Sequence, residues 1–190
     1  MFFDYVVNVV LARVNEHPHP TSFLSRSNRI SGKENMEKNK NVIDELNKAL
    51  SLEWAGTIQY LQHSFLVHGL HREVYRSFFT KRSAECRDHA ALLGEKIAAL
   101  GGMLTIEPAP IRQCSEIEEM LQQDLELETA AVSCYMDALE VAKNDVAMRH
   151  MLETLIETET TSVEEIEKLL SMNMVKTEEK QVRVRLKKLV

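Results

Sequence analysis

The sequence predicts an all-α protein, a four-helix bundle with one long connection, and three observations carry that expectation. Only six glycines and four prolines interrupt 190 residues, and Pro18, Pro20, Pro108 and Pro110 fall in just two places. Long Ala-, Leu-, Glu- and Lys-rich stretches run with almost no strand-like alternation. Their apolar residues recur at helical spacing in four separate blocks.

The first helix is expected over about 41–67, where Leu46, Leu50, Glu53, Thr57 and Tyr60 make one stripe. The second is expected over about 72–100, and the short link at 68–71 makes the two antiparallel neighbours. Gly101 and Gly102 supply the left-handed stop that helix ends favour. The following MLTIEPAPIRQC, residues 103–114, has two prolines and no helical pattern. It is too long for a tight turn and suits a crossover from one end of the bundle to the other, leaving the second and third helices parallel. The third helix is expected to start near Ser115, where Ser115 and Glu118 form a capping-box pattern, and to reach about Lys143. Asn144 and Asp145 mark a turn, and the fourth helix is expected over about 146–170.

The two ends read differently from this body. Residues 1–35 hold a short apolar run and then HPHPTSFLSRSNRISGKEN, whose composition reads as a poorly structured extension. His17 and His19 have no third partner there, and the functional domain is expected to begin near Met36 and run to 171. Residues 172–190 read as a basic tail, with a fifth helix or a short strand as alternatives. From 36 to 171 there are 13 Lys and Arg against 24 Asp and Glu, a net of −11, whereas 1–35 carries +1 and 172–190 carries +4. An acidic body argues against a surface that coats nucleic acid and is compatible with attracting cations.

Cys86, Cys114 and Cys134 form no CxxC pair and are odd in number, so free thiols in a reducing compartment, the cytoplasm, are expected. No run of about eighteen apolar residues exists to span a membrane. The opening MFFDYVVNVVLARV carries Asp4 and no basic leader, which makes it a poor signal peptide.

Chemistry is concentrated on the buried faces. In SAECRDHAALLGEKIAALGG, residues 83–102, the seam marked by Leu93, Ile97 and Leu100 continues back through His89 and Cys86, with Glu85 one position off it. Glu53 lies on the first stripe, Glu128 on Leu121, Leu125, Glu128, Val132, Tyr135 and Leu139, and Glu159 on Leu152, Leu155, Glu159, Ser162, Ile166 and Leu169. Each helix therefore places a potential metal ligand near the middle of its apolar face. Burial of such groups is costly unless they are paired or bound to metal.

With these residues in place, the stretch from about Asn41 to Leu170 resembles the bacterioferritin and ferritin-like di-iron family. LNKALSLEWAGTIQYLQH (46–63) is similar to the family's first helix, with the ligand Glu at Glu53 and an aromatic hydroxyl at Tyr60. CRDHAALLGEKIAALGG (86–102) is similar to the second, DLELETAA (124–131) carries the third-helix Glu at Glu128, and ETTSVEEIEKLL (159–170) carries the fourth-helix Glu at Glu159. The resemblance implies a site of six side chains holding two irons. Two of the six depart: Cys86 stands where a bridging Glu belongs, and Ser162 stands where the second His belongs. Glu85 is a candidate substitute for Cys86. The haem-ligand Met of the family falls at Arg87, so no axial haem ligand is implied.

The resemblance implies an iron-binding protein that takes part in ferrous iron oxidation, as a ferroxidase, and in iron storage. Tyr60, Glu85 and Cys86 are its catalytic candidates, and Glu53, His89, Glu128 and Glu159 its metal ligands. It also implies a homo-oligomer, in the cage-forming relatives a hollow shell, with iron ions as partner and no membrane. The alternative is a non-catalytic scaffold subunit with a decayed site. A DNA-protecting cage is the weaker third reading, because those relatives place their ligands between subunits. The two losses imply that one iron binds better than two, and that Cys86→Glu with Ser162→His raises the stoichiometry toward two.

Overall fold

The computed structural model describes residues 27–187, with side chains for 37 and 39–171, and these form four helices. They are α1 (Ser27–Leu66), α2 (Arg72–Ala99), α3 (Ile117–Ala142) and α4 (Val146–Lys187), with no strand among the described residues. The chain is an all-α four-helix bundle. No helix among the described residues is long and apolar enough to cross a membrane.

Helix ends follow local chemistry, in one case not the chemistry the sequence suggested. After α2, Gly101 takes φ +78. Its N–H donates to Ala98 O while the Gly102 N–H donates to Ile97 O, which together make a Schellman motif. A Cβ on Gly102 would lie 2.8 Å from Ile43 and 2.9 Å from Ile97, so that turn closes directly onto α1. At α4 the Asp145 carboxylate accepts from the Met148 N–H at 3.0 Å and caps the helix.

The expected capping box of Ser115 and Glu118 does not form. The α3 N-cap is Glu116, without a side-chain cap, and the Ser115 hydroxyl turns to the Glu116 carboxylate. The outer ends also differ from expectation. Helix α1 starts at Ser27, because Gly32 is the only Gly or Pro between Ser27 and Asn41 and one glycine costs only about 1 kcal/mol. Helix α4 continues to Lys187, because 172–187 contains neither Gly nor Pro. Residues 1–26, His17 and His19 among them, and 188–190 lie outside the described residues.

Residues 100–116 form the crossover, and α1 holds it. The Asn47 side chain donates to Met103 O and accepts from the Thr105 N–H, and Ser51 Oγ donates to Glu107 O. The Ala109 N–H donates to Ser51 O, and the Arg112 N–H donates to Gln59 Oε1. Rising numbers in the crossover meet rising numbers in α1, so the segment runs alongside α1 in the same direction. It therefore returns the chain to the far end of the bundle. Pairs such as Gln59 with Asp124 and Glu53 with Tyr135 then make α3 antiparallel to α1 and parallel to α2.

Two apolar clusters divide the interior. One contains Leu46, Leu50, Leu93, Ile97, Tyr135, Met148 and Leu152, the other Tyr60, Phe79, Met120, Leu121 and Ile166. Each fully buried large side chain contributes about 1.5–3 kcal/mol relative to exposure. Between the clusters lies a layer of ionisable groups that would be costly to bury alone.

Candidate metal centre

Helices α1, α2 and α4 each send one ionisable side chain into that layer. Glu53, His89 and Glu159 bring a ligand atom apiece within 4.8 Å of one another. The two carboxylates are buried, while the imidazole is 15% exposed. His89 Nδ1 lies 2.6 Å from Glu159 Oε1 and 3.7 Å from Glu53 Oε1. The closer contact is poorly aligned, and both His89 Nδ1 and Glu159 Oε1 are left without a well-formed hydrogen bond. Burial pushes the imidazole down, but the carboxylates of Glu159 and Glu53 outweigh it and hold His89 at about 10.

Helix α3 adds Glu128 and two tyrosines frame the acids. The Tyr60 hydroxyl donates to Glu128 Oε1 at 2.5 Å, and the Tyr135 hydroxyl donates to Glu53 Oε1. Burial, reinforced by the charge of Glu159, raises the Glu128 carboxyl well above its ordinary range. Burial also raises Glu53, with His89 and Tyr135 opposing it. Glu159 goes the other way: burial pushes it up, but His89, Glu128 and Arg82 together hold it below the usual carboxylate range. Three acids thus share one layer with unequal proton affinities, the pattern of a site built for a cation or for proton transfer.

The residues at the two departures from the family pattern are also in the interior. Cys86 is buried, and burial raises its thiol well above the ordinary value, so it is held protonated. A Cβ on Gly56 of α1 would stand 2.7 Å from Cys86 Sγ. Ser162 is buried and accepts from Arg82 Nη1 at 2.6 Å. Glu85 is engaged elsewhere: Oε2 accepts from Arg82 at 2.8 Å and Oε1 pairs with Lys81 at 3.3 Å. It does not join the Glu53, His89 and Glu159 cluster, because its carboxylate is engaged by Arg82 and Lys81.

Arg82 escaped the sequence reading. The signal was present, since 79, 82, 86, 89, 93 and 97 follow helical spacing and put Arg82 on the Cys86 and His89 stripe. A second buried set was missed too. Asp124 Oδ1 accepts from Gln59 Nε2 at 2.9 Å, and Oδ2 lies 3.0 Å from His63 Nδ1. His63 extends the Glu53 and Tyr60 stripe by one more turn, which is how the sequence could have shown it.

Comparisons with known proteins agree with this architecture. The ferritin-like domain family matches residues 43–175. A curated protein of Synechococcus sp., a nutrient stress-induced DNA-binding protein, is 31% identical over 127 residues, which are 60% of this chain and 72% of that one. A solved ferritin-like, diiron-carboxylate protein from Bacillus anthracis str. Ames superposes with a TM-score of 0.68 at 32% identity, covering 70% of this chain and 97% of that chain. The bundle is thus that of a known group, and the chain belongs to the ferritin-like di-iron family.

Proposed function

We propose that this chain is a ferritin-like iron-binding protein that takes one ferrous ion at Glu53, His89 and Glu159. The observation that carries the reading is the convergence of those three side chains within 4.8 Å, with His89 Nδ1 and Glu159 Oε1 lacking aligned partners. Carboxylate oxygens with an imidazole suit divalent iron. Glu128, held in place by Tyr60, stands beside Glu159 as a fourth donor once it loses its proton. His89 gives up its proton on binding and Tyr135 steadies Glu53.

The donor set fits one ion and does not fit two. A protonated thiol at Cys86 and a hydroxyl at Ser162, already hydrogen-bonded to Arg82, replace a bridging carboxylate and an imidazole. Paired ions share the electrons that oxygen demands, so oxidation of the bound iron is expected to be slow, and the chain reads better as an iron carrier or store than as a fast ferroxidase. Homo-oligomerisation belongs to this reading and is checked by light scattering.

The test is anaerobic titration of the metal-free protein with ferrous iron. One ion per chain, lost in His89→Ala and in Glu53→Gln, supports the reading. No binding by the unaltered protein leaves the scaffold alternative. A second reading, association with DNA, is favoured by the name of the Synechococcus relative and by the net charge of +4 over 172–190.

A further inference from the structure

Arg82 is only 5% exposed, a burial that charged side chains reach almost only when paired. Residues 82, 86 and 89 lie on one stripe of α2, so the guanidinium sits one turn from Cys86 and two from His89. From there it faces α4. Nη1 donates to Ser162 Oγ at 2.6 Å and to Glu85 Oε2 at 2.8 Å, and Nη2 donates to Glu165. The Phe78 ring lies 5.4 Å from the guanidinium carbon. Ser162 is three residues beyond Glu159, the place of the imidazole in an intact Glu-x-x-His pair. A fixed cation therefore meets the residue that would otherwise help hold a second ion.

We infer that Arg82 takes the place of the second metal ion, supplying between α2 and α4 the positive charge that ion would bring and restricting the centre to one divalent cation. The inference rests on the one-ion reading at Glu53, His89 and Glu159. Three physical arguments support it. A guanidinium repels a divalent cation placed beside it, strongly where water is scarce. It also keeps its proton throughout the physiological range, so pH does not vacate the position. Finally, Arg82 engages Glu85 and Glu165 and removes them as ligands. On the outer side, a cleft of about 320 Å³ that includes Lys81, Glu85, Glu157 and Glu165 opens onto Arg82. The side chain thus separates that acidic cleft from the buried layer. Cys86→Glu with Ser162→His, which the sequence alone expects to raise the stoichiometry toward two, is on this inference expected to leave a one-ion site while Arg82 stays in place.

The experiment is anaerobic titration of the full metal-free chain with Co²⁺, followed by visible absorption and calorimetry. The expected stoichiometries are one for the unaltered protein, one for Cys86→Glu with Ser162→His, and two when Arg82→Gln is added to that pair. Two ions in the double variant, or only one in a folded triple variant, overturns the inference. Two single substitutions cover the case in which the multiple variants fail to fold. Arg82→Gln is expected to admit a second ion at least tenfold more weakly than the first, and Arg82→Lys, which keeps the cation, is expected to stay at one. Identical behaviour of the Gln and Lys variants overturns the charge argument. If the unaltered protein takes no Co²⁺ at all, the one-ion reading fails, while the contrast between double and triple variants still decides the role of Arg82.

Discussion

Tyr135 on α3 donates its hydroxyl to Glu53 on α1, and Tyr60 on α1 donates its hydroxyl to Glu128 on α3, so the two helices exchange a reciprocal pair of tyrosine-to-carboxylate hydrogen bonds across the buried layer. Both tyrosines are fully buried. Tyr135→Phe keeps the ring and removes the donor, leaving a buried carboxyl with one partner fewer. The expected loss is about 1–3 kcal/mol in the metal-free protein, measured by urea denaturation. A variant as stable as its parent would show that water or His89 satisfies Glu53 alone.

Metal affinity is expected to rise with pH. The imidazole of His89, held at about 10, carries a proton at neutral pH that an incoming ion must displace. Each proton released makes affinity about tenfold stronger per pH unit over the range below that pKa. Calorimetry in two buffers of different ionisation enthalpy measures the release directly, and a binding constant unchanged between pH 6 and 8 would refute it. The same shift has the opposite sign for the metal-free fold. Because the folded pKa exceeds the ordinary 6.5, the stabilisation from His89 is complete below about 6.5 and is lost as pH rises through about 10.

At Gly56, α1 packs directly against Cys86 of α2 beside the centre. Alanine there gains about 1 kcal/mol in helix propensity, but its Cβ would sit 2.7 Å from Cys86 Sγ. Overpacking of that kind costs about 1–3 kcal/mol. Gly56→Ala is therefore expected to lower the thermal midpoint, and Gly56→Ala with Cys86→Ala to recover much of the loss. Additive effects of the two changes would count against the contact.

The three thiols should separate by reactivity. Burial raises all of them, Cys86 well above its ordinary value and Cys134 to about 11, but Cys114 is only partly buried, in the crossover. Thiolate is the reacting form. Titration with an aromatic disulfide at pH 8 should find one fast thiol in the native chain, removed by Cys114→Ser, and three after unfolding.

If the chain associates with DNA, the basic segment should carry it, since residues 36–171 bear a net charge of −11. Gel retardation at low salt should disappear on deletion of 172–190 and weaken steeply as salt rises. Retardation that survives the deletion would place the contact elsewhere.

Much of the fold was legible because its causes are local. The 3.6-residue period marks Leu46, Leu50 and Glu53 as one face and Leu152, Leu155 and Glu159 as another, and both faces are buried. Gly101 declares the end of α2 because the left-handed backbone it adopts is costly for other residues. A twelve-residue stretch with two prolines declares the crossover because it can be neither helix nor tight turn. The Ser115 and Glu118 pattern misled because capping competes with other local hydrogen bonds, and Ser115 turned to Glu116.

What the tertiary structure alone decided is which groups meet. Glu85 and Cys86 are adjacent in sequence and both lie within a step of the same stripe. Only the rotation of α2 about its axis puts the thiol inward against Gly56, whereas Glu85 pairs with Arg82 one turn before it on the same helix. Helical spacing places Arg82 on the Cys86 and His89 stripe, but its partners emerge only from the axial stagger that brings Ser162 and Glu165 of α4 opposite it. A periodic pattern fixes which face of a helix is buried, whereas rotation and stagger between helices are settled by packing of the whole core. The sequence by itself therefore determined the bundle and the faces that carry the acids, and the packing determined that the Arg82 guanidinium meets Ser162 and Glu165, because that choice depends on distances between helices that no single helix encodes.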